Sequence, residues 1–221
     1  MDALTSADEN VAIGYNAGTT ITTGGGNVMI GSTAGTNIVD GINSVMVGIN
    51  AGKAVTSGGG NICLGKNSGI TGSPGGNITT ASDIFAFGDE NMTNAHIQID
   101  WTIASDKRDK TDVANLDLGL EFINKLTPVT YKWDKRSKYI NKYDPSTDLN
   151  AVTTDGTHKE DWLDVGFLAQ DVAEIEESYD YKIANKTNLT TSLSSDGKQY
   201  STQYNKFVPM PVKAVQELSA Q

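Results

Sequence analysis

Four times in the first 65 residues a short apolar run closes on a glycine: NVAIG from Asn10, NVMIG from Asn27, SVMVG from Ser44 and NICLG from Asn61. The closing glycines, Gly14, Gly31, Gly48 and Gly65, stand 17 residues apart each time. A degenerate fifth copy, FAFG, ends at Gly88 after a longer insertion. A fixed short period of strand and turn predicts stacked rungs, because one such unit cannot bury its own apolar face. Each period fits two or three short strands with Gly-rich corners such as TGGG at 23–26 and SGGG at 57–60. Side chains alternate along a strand, so Val11, Val28, Val45, Ile62 and Ile13, Ile30, Val47, Leu64 share one face. Ala12, Met29, Met46 and Cys63 share the other, and it is apolar too. A strand apolar on both faces is buried on both, yet a thin single-chain coil has one interior. The second face is therefore expected to meet other copies of the chain in a trimeric or similar shaft; a monomeric solenoid is the alternative. Cys63 and the methionine column read as packing.

Beyond residue 100 the pattern changes. LDLGLEFINKL, 116–126, places Leu116, Leu120, Ile123 and Leu126 near helical spacing, with Pro128 as its stop. VTYKWD alternates as a strand. Residues 135–160 form a polar insertion with turn chemistry at Asp144-Pro145 and Asp155-Gly156. VGFLAQDVAEIEES from Val165 reads as a short strand entering an acidic helix, and two β-rich runs around Asp196-Gly197 predict a projecting hairpin. The last segment is a helix starting at a proline, with Val212, Val215 and Leu218 on one stripe.

Composition sharpens this division. Of the 23 glycines 19 lie in the first 100 positions, but only 2 of the 17 basic residues do. The predicted architecture is multi-domain: an all-β repeat shaft, 1–100, of β-roll or β-helix type, then an α+β, largely helical domain, 101–221, with projecting β-hairpin arms. A net charge of -10 provides no clustered cationic footprint, so neither nucleic acid nor an anionic membrane is an expected partner. No apolar run approaches the roughly 20 residues of a membrane span. The opening MDALTSADEN lacks the regions of a signal peptide, so the chain reads as a fragment beginning at an added Met. Cys63, His96 and His158 offer no metal-ligand spacing, and neither metal nor cofactor is expected.

The boundary carries the candidate chemistry. In SDKRDK, residues 105–110, Ser105 precedes Lys110 by five positions. A serine hydroxyl becomes a nucleophile when something takes its proton, and lysine does so where burial lowers its pKa from about 10.4 toward neutrality. Ser-Lys pairs are an established variant of serine-protease chemistry. Five residues apart, the two diverge by roughly 140° on a helix and sit on opposite faces of a strand. They meet only through a turn or between chains. Asp106 and Asp109 favour a charged Lys110, Lys107 and Arg108 a neutral one. By spacing alone the segment reads as a solvated linker.

SDKRDK, LGLEFINKLTPVTYKWD, GFLAQDV and KAVQEL follow one another in the order found in the intramolecular chaperone and auto-cleaving peptidase domain that ends many phage tail spikes and tail fibres. The chain resembles that family over nearly all of 101–221, and is similar to the self-cleaving segment of the myelin regulatory factor. The rungs resemble the head repeats of trimeric bacterial adhesins and Gly-rich segments of phage tail fibres. The resemblance implies that Ser105 is the nucleophile, Lys110 its base and the bond between Ala104 and Ser105 the one cut, with Asp106 and Arg108 as candidate supporting residues. It further implies a homotrimer on a virion tail fibre, made in the host cytoplasm, joined to the rest of the fibre and facing a host surface receptor. Such a helper answers a physical need. Identical rungs make a one-rung slip nearly as favourable as correct pairing, and non-local strand pairing is slow.

Two rivals remain at the level of sequence. One is a trimeric structural or adhesive tip that never cuts. The other is a glycan-degrading spike, which needs paired carboxylates in a groove; Asp40, Asp83, Asp89 and Glu90 are its scattered candidates.

Overall fold

A computed structural model describes residues 6–144 and 147–221; the turn expected at Asp144-Pro145 and the start of the chain fall partly outside them. Five three-residue strands, β1 (Val11–Ile13), β2 (Val28–Ile30), β3 (Val45–Val47), β4 (Ile62–Leu64) and β5 (Phe85–Phe87), form one parallel sheet in chain order. Equivalent positions pair: Val11 faces Val28, Val28 faces Val45, Val45 faces Ile62, and Ile62 faces Phe85. The degenerate fifth copy is therefore a true rung. Each rung contains one strand, where two or three were expected. The rest of the rung is turns, yet its backbone still bonds to the rung above, as in Gly18 N–H to the Ala34 carbonyl at 3.0 Å and Val39 N–H to the Thr56 carbonyl at 2.8 Å. Stacking thus satisfies the backbone where the glycine- and Asn-rich chain bends too sharply for strand geometry.

The inward column is Ala12, Met29, Met46, Cys63 and Ala86, packed with Ile21, Ile38, Val55 and Ile78. Met29, Met46 and Cys63 are fully buried, and burial pushes the Cys63 thiol up to about 11. The flanking strand residues point outward: Val11, Ile13, Ile30, Ile62, Phe85 and Phe87 are exposed. Two polar ladders hold the register. In one, Asn10 Oδ1 accepts from Asn27 N–H at 2.9 Å and Asn27 Oδ1 from Ser44 N–H at 3.0 Å. In the other, Thr33 Oγ1 donates to Asn50 Oδ1, Asn50 Nδ2 to Asn67 Oδ1 at 2.9 Å, and Asn67 Nδ2 to Asp89 Oδ2 at 3.0 Å. Gly48 shows why a glycine closes each strand. Its φ is +133°, and a Cβ there would lie 2.6 Å from the backbone of Gly65 on the next rung.

The chain divides into two compact units. The first contains the rungs to Met92 together with Tyr131–Asp164 and Leu193–Ser201. The polar insertion and the hairpin tip thus pack with the shaft. The second unit contains Thr93–Thr130, Val165–Ser192 and Thr202–Gln221. Its helices are α1 (Leu120–Lys125), α2 (Ala169–Glu177) and α3 (Pro209–Ser219). Two further strand pairs are β6 (Val129–Tyr131) with β7 (Asp164–Gly166) and β8 (Thr191–Leu193) with β9 (Tyr200–Thr202), and short 3-10 turns lie between the elements.

Leu118, Phe122, Val172, Phe207 and Met210 form the second core. Helix α1 is shorter than the expected 116–126, and Leu118 and Phe122 are buried while Leu116, Leu120, Ile123 and Leu126 are only half-buried around them. Its N-terminus is capped from another helix: Glu217 Oε2 of α3 accepts from Leu120 N–H at 2.7 Å. A Cβ at Gly119 would clash with that carboxylate at 2.3 Å. Fully buried Glu176 accepts from Thr190 N–H and Oγ1, each at 2.6 Å, and from Thr191 Oγ1 at 2.7 Å. On α3 the buried residues are Met210 and Ala214. The expected apolar stripe Val212, Val215, Leu218 exists but faces solvent at 54%, 60% and 52% exposure.

Candidate functional site at Ser105 and Lys110

Residues 91–115 are exposed throughout, and within them a single 3-10 turn, Lys107–Asp109, organises the SDKRDK segment. Asp106 begins the turn by accepting from Arg108 N–H at 2.9 Å, an N-cap that the short aspartate side chain is suited to make. The same carboxylate takes Arg108 Nε at 3.1 Å and Nη2 at 2.7 Å, a two-pronged grip. These bonds hold the Asp106 carboxyl below the usual carboxylate range. Lys110 closes the turn through its N–H to the Lys107 carbonyl at 3.3 Å.

The turn brings Ser105 and Lys110 together: Lys110 Nζ donates to Ser105 Oγ at 2.6 Å. Of the two ways that spacing left for the pair to meet, the structure uses the turn. Asp106 and Arg108 touch each other and shape the backbone between the pair. Ala104, like both members, is exposed.

The scattered acids behave differently. Asp40 and Asp83 are exposed. Asp89 and Glu90 are 6% and 8% exposed and share Lys142, which bonds Glu90 Oε1 and lies 3.6 Å from Asp89 Oδ2. Burial pushes the Asp89 carboxyl up, but the hydrogen bonds from Asn67 and Asn91 and the Lys142 charge outweigh it and hold it below its ordinary value. This is a lysine-bridged cluster, unlike an open pair of carboxylates flanking a substrate. Sequence analysis missed Lys142 as a partner. The signals were present in three lysines, Lys135, Lys138 and Lys142, within the polar insertion and in the acids directly after the last rung. Among the described residues no group of His, Cys, Asp and Glu is placed to hold a metal ion, and no helix is long and apolar enough to cross a membrane.

No curated protein and no solved structure matches the chain. A family model does: the chaperone of endosialidase, a self-cleaving chaperone domain, matches residues 105–181, beginning at Ser105 itself. With a β-solenoid shaft before it, the match over residues 105–181 supports an intramolecular chaperone domain like that of the chaperone of endosialidase in the C-terminal part of this chain.

Proposed function

We propose that this chain is the distal part of a phage tail fibre or tail spike, and that residues 105–221 trimerise it, template shaft folding and then release themselves by cutting between Ala104 and Ser105. The 2.6 Å bond from Lys110 Nζ to Ser105 Oγ carries this reading. The start of the family match at the same serine supports it. Chemically, a neutral Lys110 amine takes the Ser105 hydroxyl proton and Oγ attacks the Ala104 carbonyl carbon through a five-membered ring. The C–N bond breaks, leaving an Ala104 ester on Oγ and a free Ser105 amine that receives the proton. Water then hydrolyses the ester to an Ala104 carboxylate and restores the hydroxyl.

Lysine acts as a base only where burial disfavours its charged form. Both partners are exposed in the single chain, so in this account the other copies supply the cover and assembly gates the cut. Apolar surface available for such assembly is plentiful. Ile97, Ile99, Trp101 and Ile103 alternate along the exposed segment before the bond, at 57%, 79%, 74% and 70% exposure. Val208, Val212, Val215 and Leu218 line one side of the C-terminal helix region, and the outer strand columns add the shaft's share. Once the shaft is complete, losing the template leaves it behind a high unfolding barrier.

The same exposure of the pair favours the second reading, a non-cleaving trimeric tip that binds a host surface receptor. A denaturing gel separates the two. Wild type should yield a shaft band and a fragment starting Ser-Asp-Lys-Arg, whereas Ser105→Ala should stay full length. One full-length band from both supports the tip.

A further inference from the structure

Two segments, one of the insertion and one of the hairpin, grip the end of the shaft, and all of their residues lie C-terminal to the bond between Ala104 and Ser105. Lys142 joins Asp89 and Glu90, Lys135 Nζ donates to the Glu90 carbonyl at 3.0 Å and to Glu160 Oε1 at 2.9 Å, and Lys138 bonds Asn91 Oδ1. Tyr143 O–H donates to Asn67 Oδ1 at 3.1 Å, with Lys53 over its ring at 5.4 Å. On the hairpin tip, Asp196 Oδ2 accepts from Asn77 N–H at 2.9 Å and Ser195 Oγ donates to the Asn77 carbonyl at 3.2 Å. Arg136 Nη2 ties the insertion to the tip through the Lys198 carbonyl at 2.7 Å.

The location of the grip gives it meaning. The Thr33, Asn50, Asn67 ladder ends on Asp89, and Lys142 and Tyr143 contact Asp89 and Asn67, its last two steps. Asp89 follows the end of β5 by two residues, so the pairing of β5 on β4 carries it to this position. The pairing is also unbalanced. Two buried carboxylates share one half-buried lysine, and Glu90 Oε2 has no hydrogen-bond partner among the described residues. A grip of this kind is strong while whole, because losing one member strands a buried charge. It is also openable, because the unsatisfied carboxylate regains water on release.

We propose that residues 131–144, through Lys142 on Asp89 and Glu90, are a latch that reads the completed last rung and holds the cut C-terminal part on the shaft, making release a step separate from cleavage. The proposal rests on the preceding reading only for why that part is to leave. Its test uses no self-cleavage. A recognition sequence for a site-specific protease is inserted between Ala95 and His96 in the full chain carrying Ser105→Ala, and the chain is nicked there. The dissociation rate of the C-terminal fragment is then read by size-exclusion chromatography. The fragment should co-elute with the shaft. Lys142→Met should speed its loss by roughly 100-fold or more, since it leaves two buried carboxylates unpaired. Glu90→Gln added to Lys142→Met should recover at least about tenfold of the retention, which a merely misfolded variant does not do. Immediate loss of the unsubstituted fragment, equal retention in Lys142→Met, or no recovery in the double variant overturns the latch. A chain that never cuts itself would end the preceding proposal and leave this test standing.

Discussion

Ser105 and Lys110 show what spacing alone withholds. Five positions suit neither a helix nor a strand, and their contact depends on a 3-10 turn whose start is the Asp106 side chain bonded to Arg108 N–H. An aspartate directly after the serine is a readable cap signal, but spacing cannot say that the cap returns Lys110 Nζ to the serine. The four-block resemblance singled out both residues where periodicity left a linker. If Lys110 is the base, Lys110→Arg should abolish the fragment, because a guanidinium stays protonated at any usable pH. Lys107→Ala should leave cutting within a few-fold of wild type, since Lys107 does not touch the serine. Intact-mass analysis of both variants checks this, and equal behaviour removes Lys110 from the chemistry. The Lys142 to Glu90 contact was illegible for a different reason: its partners lie 52 positions apart in the chain, and nothing local in the polar insertion names the rung it meets.

Among elements, the rungs were the most legible, because a 17-residue period repeats both the inward residue and the closing glycine. Strand number per rung was not, since turn-rich segments bond to the next rung without adopting strand geometry. Gly48→Ala tests the rung directly. Its φ of +133° and the 2.6 Å approach to Gly65 predict a loss on the order of 1–3 kcal/mol from backbone strain alone. Chemical denaturation should register it, and an unchanged midpoint would contradict the stacking. Helix α1 came out shorter than its apolar spacing suggested because its cap is tertiary, supplied by Glu217. The bond from Leu120 N–H, opposed by desolvation and helped by Lys213, holds the Glu217 carboxyl below its usual range. A depressed carboxylate stabilises the fold above its unfolded pKa of about 4.3, and that contribution is lost as pH falls through the folded value. Docking of α1 on α3 should therefore weaken below about pH 4, and Glu217→Gln should flatten that acid dependence in circular dichroism melts.

On the scale of the whole molecule, exposed apolar surface is the feature that a single chain does not explain. The outer strand columns, the alternating 97–103 segment and the stripe on α3 each carry side chains about half or more in solvent. The sequence showed the α3 stripe and the two-faced strands; it did not show the 97–103 alternation as a distinct element, because it forms no strand here. Burying such surface between copies fits the one-way assembly proposed above, in which the chaperone part would align three chains, the rungs would zip in register, and the covered serine and lysine would cut once. The central claim is that order, assembly before cleavage. Its most direct measurement is intact-mass spectrometry of size-separated fractions during refolding, with wild type beside a chain lacking residues 1–95. The account predicts full-length mass in every monomer fraction, the Ser105-started fragment only in or after the trimer fraction, and no cutting in a truncated chain that stays monomeric. Efficient cleavage in monomer fractions or in that truncated monomer would contradict it.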